Sequence, residues 1–463
     1  MNQTEERKVV IVGAGLSGLT LGYYLKKQGI DFIILERESF AGGVIQSITE
    51  NGFTYEKGPN TGVLGNPEAA DLFEDLYPAC QLETANSDAK RRLIWKRGKW
   101  NALPSGLISA IGTPLFTLKD KLRILGEPFR RKGDNPLESV ADLTKRRLGK
   151  SFLDYAIDPF IAGIYAGDPQ KLVTKYALPK LYNLEQTYGS LIRGGIKKSV
   201  ENKKDVRLKK ATREVFSVKG GLTQMVLALE KAVGKENIIY NAASTSINLI
   251  NGGFHTSFSL GNIKHSLQSR FVVTTSGAYT LPDLLPYIEK SILEPITSLE
   301  YAAVAQIVVG YKEWYGMPLN AFGGLVPSAE KKNILGILFP SALFTQRAPE
   351  EGALLSVFVG GTRLTSALEM LDEELEELVV VNVNRMLNNN ILPDLIKIFR
   401  YPHAIPQYQA SSEERLACIQ DLQKRYPGLL LAGNIRDGIG MADRIKQGKS
   451  LALQIASEIL SQK

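Results

Sequence analysis

A chain of 463 residues with 44% apolar and 22% charged side chains can bury substantial cores in two or three lobes, which excludes a disordered or low-complexity protein. Cys80 and Cys418 are too few and too far apart for a disulfide framework, and neither sits in a CxxC or Cys/His cluster that would ligate a metal. The net charge is +8, and no run approaches the roughly 18 apolar residues that a membrane span requires.

The opening, MNQTEERKVVIVGAG, reaches its first glycine too early for a signal peptide, so a cytoplasmic location is expected. Lys8 to Gly13 is a short apolar run rich in β-branched residues and predicts a strand; the helical pattern LSGLTLGYYLKKQG follows. Asp31 to Glu36 predicts a second buried strand, completing a βαβ unit with parallel strands. Gly13-Ala14-Gly15-Leu16-Ser17-Gly18 falls on its first turn. There Gly13 makes the turn, Gly15 admits a pyrophosphate to the backbone, and Gly18 lets helix and sheet pack closely. The helix start supplies free N–H groups to phosphate. Glu36 lies where a carboxylate accepts ribose hydroxyls and disfavours a 2′-phosphate.

Next come Arg37, then Gly42-Gly43-Val44, then Gly58-Pro59-Asn60-Thr61. A second glycine pair just past the ribose strand offers another close backbone approach, as a longer ligand lying across the sheet requires. At these residues the chain resembles the FAD-binding amine oxidase and protoporphyrinogen oxidase superfamily, which implies FAD rather than NAD.

From Lys90 to Lys132 twelve basic side chains face only Asp120 and Glu127, and Arg193 to Arg213 adds nine against Glu201 and Asp205. The positive charge is therefore concentrated in the middle third. Beside it the apolar stretch LISAIGTPLF, residues 107–116, points to contact with an anionic lipid surface on the inner face of the cell membrane. No nucleic-acid motif accompanies the charge.

After Val215 strand and helix signals alternate again, and Leu299 to Tyr311, Ala321 to Val326, Ile334 to Phe339 and Ala353 to Val359 predict a second sheet. Asp372 to Leu387 predicts a helix. Leu429 to Asn434 predicts a strand ending in Gly433-Asn434, and Gly438-Ile439-Gly440-Met441 opens a last helix whose spare N–H groups would face the flavin.

The expected fold class is α/β. A Rossmann-like FAD-binding domain would be assembled from residues 1–88, 213–282 and 409–463. Residues 89–212 would form a helical, basic, membrane-facing domain, and 283–408 a mixed-sheet substrate domain.

Within the superfamily the chain is most similar to the protoporphyrinogen oxidase family, over nearly its whole length. The segment Arg92-Leu-Ile-Trp-Lys-Arg-Gly-Lys-Trp implies that Arg92 pairs with a substrate propionate. Asp158-Pro-Phe-Ile-Ala-Gly163 matches a loop beside the flavin, where the Gly163 carbonyl would face the substrate. Leu338-Phe-Pro-Ser-Ala-Leu-Phe344 matches the stretch that sandwiches the tetrapyrrole, with Leu325 and Phe344 as the picks. Ile439, Gly440, Met441, Val44 and Ser244 fall on FAD-contacting positions, the last two through backbone.

The resemblance implies oxidation of protoporphyrinogen IX to protoporphyrin IX in heme biosynthesis, with dioxygen as acceptor and hydrogen peroxide as by-product. Coproporphyrinogen III is the nearest alternative substrate; an amine or polyene oxidase and a non-catalytic relative are others. A homodimer and hand-off to a ferrochelatase stay open. His255, His265 and His403 sit in no hydrolytic motif, so the flavin would carry the chemistry.

Overall fold

The first strand, Glu5–Val12, is apolar on both faces over its C-terminal half because it lies inside a parallel sheet covered on both sides. The computed structural model describes residues 5–104, 109, 112–205, 207–362 and 364–461. Residues 107, 108, 110 and 111 of the apolar stretch that pointed to a lipid surface lie outside them.

Glu5–Val12 pairs in parallel with Phe32–Leu35 on one side and Ile263–Thr274 on the other. Ile238–Ile239 extends one edge. Leu429–Leu431 runs parallel to the end of Ile263–Thr274, while Gly253–Leu260 and Ala243–Ile250 continue from it as an antiparallel meander. Strands from three separated stretches of chain thus share one seven-stranded sheet. Helix Leu16–Lys27 packs on it through glycine: a Cβ at Gly18 would lie 2.0 Å from the Gly13 carbonyl oxygen. The last helix, Met441–Leu460, crosses the first at Gly448, where a Cβ would come within 2.9 Å of the Leu21 amide nitrogen.

The second sheet also has seven strands, in the order Leu395–Pro406, Tyr301–Tyr311, Ala353–Gly360, Gly336–Leu338, Gly323–Leu325, Arg92–Lys96 and Lys99–Ala102. One face, with Ile307, Val309, Leu355 and Val357, is buried under helix Asp372–Leu387 through Leu375, Val379 and Val383. Alternation sends the next residues along, Gln306, Ser356 and Phe358 among them, to the other face. The sheet takes in Arg92–Lys96 and Lys99–Ala102, which the expected boundary at residue 89 assigned to the helical part. Their dense positive charge masked a strand whose apolar Leu93 and Trp95 face the core.

Between the sheets' contributions runs a helical stretch that includes Leu118–Leu125, Val140–Arg147, Asp158–Tyr165, Pro179–Tyr188 and Leu191–Lys204. It is held by buried charge. Arg147 and Glu127 are both fully buried and paired at 3.1 Å, and Arg147 Nε donates to Glu185 at 2.6 Å. Glu127 also accepts from the Leu191 and Ile192 N–H groups, capping the helix that follows. Among the described residues no helix is long and apolar enough to cross a membrane.

Candidate active site

At the first turn Gly13 takes φ +105°, and a Cβ built on Gly15 would meet no atom within 4 Å. The backbone there faces open space at the start of a helix, as a phosphate requires. Gly43 lines the same opening, since only the Gly15 Cα lies near its Cβ direction, at 3.9 Å. Gly42 is tied to the turn by its N–H to the Ala14 carbonyl at 2.8 Å.

Glu36 is buried, and its two oxygens accept from the Ala14 N–H at 2.7 Å and the Glu38 N–H at 2.9 Å. The carboxylate is thus fixed at the rim of the glycine turn, and each oxygen keeps a lone pair for a ribose hydroxyl. The Arg37 side chain turns to Glu38 at 3.1 Å. Ala242 donates to the Glu36 carbonyl at 2.8 Å, which brings Ser244, exposed with φ +50°, to this end of the groove.

Gly58 cannot be another residue: it has φ +104°, and a Cβ would sit 2.3 Å from the Val44 carbonyl oxygen. Its N–H donates to Gln306 Oε1 at 3.0 Å, and Gln306 Nε2 donates to the Glu56 carbonyl at 2.8 Å. Asn60 Oδ1 accepts from Ser356 Oγ at 2.8 Å. The loop holding Pro59, Asn60 and Thr61 is therefore bolted to the second sheet by Gln306 and Ser356. Neither was singled out in the sequence, because each reads as an ordinary polar residue in a strand.

At the other end Arg444 is buried. Its guanidinium donates to the carbonyls of Gly433, Arg436 and Gly438, the latter two at 2.8 Å, and burial pushes its pKa down. Gln447 Oε1 accepts from the Gly433 N–H at 2.9 Å and from Ser17 Oγ at 3.2 Å. One amide thus ties the closing loop to the first helix, and the Ser17 hydroxyl is spent on it. Asn434 Oδ1 accepts from the Tyr301 hydroxyl at 3.4 Å. Gly440, the residue that caps the last helix, donates to Asp443 Oδ2 at 3.2 Å. Of the first N–H groups, those of Met441 and Ala442, next to Ile439 and Gly440, keep no acceptor among the described residues.

Strand register defines the space above the second sheet. Phe358 stands opposite Gly336, and Gly336 opposite Leu325; Ser356 stands opposite Leu338, Leu338 opposite Gly323, and Gly323 opposite Arg92. Phe358, Leu338, Leu325 and Arg92 therefore share one face, the first three half-buried and the arginine exposed at its edge. The Arg92 guanidinium lies 5.7 Å from the Phe322 ring centroid. A Cβ at Gly163 would strike Leu325 Cδ2 at 2.5 Å, so these two predicted residues do meet.

Two expectations are corrected here. Gly163 lies in the last turn of helix Asp158–Tyr165 rather than in a loop, although its carbonyl, past the reach of the helix ladder, finds no N–H among the described residues. Phe344 does not join Leu325. It follows the short helix Pro340–Leu343, is buried against Ala89 and Leu343, and has Arg347 5.5 Å from its ring. Leu338, at the head of the same stretch, and Phe358 take its place on the shared face; counting alternate residues across paired strands is the signal that finds them.

His255 and His265 lie on the meander and His403 stacks on Tyr279 at 4.1 Å, so none faces this space with a partner acid. No group of three or more His, Cys, Asp or Glu able to hold a metal occurs among the described residues.

A glycine-lined groove on a split, largely parallel sheet, tied to a second sheet through the Gly58 to Thr61 loop, defines a flavin-containing oxidoreductase fold. The family model for flavin containing amine oxidoreductase matches residues 16–456, and the chain belongs to that family. It is similar to protoporphyrinogen oxidase 2 of Arabidopsis thaliana, 28% identical with 98% of this chain and 95% of the relative covered. It is also similar to the mitochondrial protoporphyrinogen oxidase of Nicotiana tabacum, at 29% over 98% and 96%, and to coproporphyrinogen III oxidase of Bacillus subtilis, at 24% over 96% and 97%. In fold it matches a structure from Exiguobacterium sp. 255-15 provisionally assigned as a protoporphyrinogen oxidase, with a TM-score of 0.81 at 22% identity, covering 98% and 100% of the two chains. The cofactor is FAD, and the open approaches at Gly15 and Gly43 fit it.

Proposed function

We propose that this chain oxidises a porphyrinogen to the porphyrin, three two-electron rounds with dioxygen as acceptor and hydrogen peroxide as by-product. The apolar floor of Phe358, Leu338 and Leu325 with one exposed arginine at its rim carries the reading. A flat macrocycle covers such a floor while a propionate reaches the cation. Bound FAD would supply the hydride-accepting chemistry. Gly13 to Gly18, Glu36, Gly42, Gly43 and Val44 would hold its nucleotide, with Ser244 at the adenine end. Gly58 to Thr61, Gly433, Asn434 and Ile439 to Met441 would hold its ring. Gly163 would offer its carbonyl to the substrate.

Protoporphyrinogen IX is the preferred substrate because the relatives with higher identity carry that activity in their names. Coproporphyrinogen III is the second reading, favoured by the Bacillus subtilis relative. Turnover of both in air, followed by porphyrin fluorescence, tests the proposal: preference for either supports it, and inertness to both overturns it.

Peripheral attachment to the inner face of the cell membrane belongs to the same reading. Leu118, Leu122 and Leu125 recur on one stripe of their helix and are exposed, as is Phe129 just beyond. The Arg193 guanidinium lies 5.4 Å from the Phe129 ring, and Ile196 and Val200 continue along that helix face, also exposed. An apolar ridge amid basic residues suits an anionic bilayer surface.

A further inference from the structure

Beside the leucine stripe lies a pocket of about 410 Å³ lined by Thr117, Lys119, Asp120, Arg123, Lys145 and Lys150 among others. Four of these carry positive charge and one is an acid. The acid is committed: Asp120 is buried, its Oδ2 accepts the Ser151 N–H at 2.8 Å, and Gly149 with φ +103° makes room for it. Thr117 caps the helix by accepting the Asp120 N–H at 3.2 Å. Lys145 meets Asp142 at 3.7 Å and Lys150 meets Asp154 at 2.5 Å, contacts at the rim that solvent-exposed lysines exchange readily. Arg123 Nη2 donates to the Arg146 carbonyl at 2.8 Å.

On helix Leu118–Leu125, Lys119 and Arg123 stand one turn apart, about 100° round the axis from Leu118 and Leu122. A cationic cavity thus opens directly beside an exposed apolar stripe. That pairing matches the two halves of an anionic phospholipid, a phosphate head and acyl chains.

We propose that this pocket is a headgroup site for an anionic phospholipid, the phosphate lying among Lys119, Arg123, Lys145 and Lys150 with the acyl chains along Leu118, Leu122 and Leu125. The inference rests on the membrane-surface reading and sharpens it from diffuse attraction to a defined site.

The test is co-sedimentation of the FAD-loaded protein with phosphatidylglycerol-containing vesicles at fixed ionic strength. Three proteins are compared: wild type, Lys119→Gln with Lys145→Gln, and Lys197→Gln with Lys198→Gln on the neighbouring helix. Unchanged circular dichroism and flavin content confirm folding. The neighbouring pair is expected to lower partitioning at most about 30-fold, the loss for two lysines at an anionic surface, and the pocket pair about tenfold more than that. Equal loss from both pairs overturns the pocket while leaving surface attachment standing. Retained binding of the pocket pair, with loss in Leu122→Ser, does the same. Wild type that ignores the vesicles overturns both. Titration with inorganic phosphate separates the sources: phosphate binding that the pocket pair abolishes, with vesicle binding intact, makes this a free-phosphate site and overturns the lipid assignment.

Discussion

Arg92 has its guanidinium over the Phe322 ring and its remaining donors toward solvent at the edge of the apolar floor. A charge-assisted pair with a carboxylate is worth about 1.5–3 kcal/mol. Arg92→Ala should therefore raise KM for the porphyrinogen roughly ten- to a hundredfold and leave FAD content unchanged; steady-state kinetics with an unaltered KM would make it a bystander. Phe358 and Phe344 separate floor from core. Phe358→Ala should lower kcat/KM, whereas Phe344→Ala should cost about 3–5 kcal/mol of stability with KM little changed. Denaturant melts and kinetics on both variants check the assignment, and the reverse pattern would restore Phe344 to the site. At this scale the glycine positions were legible in sequence, because Gly13 falls on the turn after the first strand, Gly42 and Gly43 form a pair past the second, and the resemblance marks Gly58; Gly13, Gly42 and Gly58 all take a positive φ. Gln306, Ser356 and Phe358 were not, since their roles depend on which strands lie side by side.

The elements divide the same way. The first strand, helix and second strand could be read because their periods are clean. Leu395–Pro406 could not: it is an edge strand, half-exposed along most of its length with two prolines, so no alternation marks it. Helix Ser412–Arg425 buries only Ser412, Arg415, Ile419 and Leu422, too narrow an apolar stripe to stand out against its charges. The last helix has the clearest functional load. Gln447 joins Ser17 to Gly433, so Gln447→Ala leaves a buried N–H and hydroxyl without their acceptor, a loss of about 1–3 kcal/mol each. The variant should release FAD more readily than wild type, as flavin fluorescence in the flow-through of a desalting column; equal retention would reduce Gln447 to a packing residue.

Across the whole molecule, two sheets meet at the loop bolted by Gln306 and Ser356, and the groove between the glycine turn and the closing loop draws on three distant stretches of chain. Such an assembly was inferable only from its two ends; how the middle attaches required the register. The helical part is stitched by Arg146, Arg147, Glu127 and Glu185. Burial alone would raise the Glu185 pKa, but its bonds from Arg146 and Arg147 outweigh that and hold it below its ordinary value of 4.5. A depressed carboxylate stabilises the fold above its unfolded pKa, and that stability is lost as pH falls through the folded value. Stability should therefore decline below pH 4.5, and less steeply in Glu185→Gln, which starts lower. Urea melts across that acid range decide it, and parallel curves would remove Glu185 from the account.

Anaerobic mixing of the purified yellow protein with protoporphyrinogen IX, and separately with coproporphyrinogen III, tests the central claim most directly. The flavin's visible absorbance should bleach with one of them and return on admitting air, as porphyrin fluorescence and peroxide appear. A flavin-loaded protein whose absorbance neither porphyrinogen changes would contradict it.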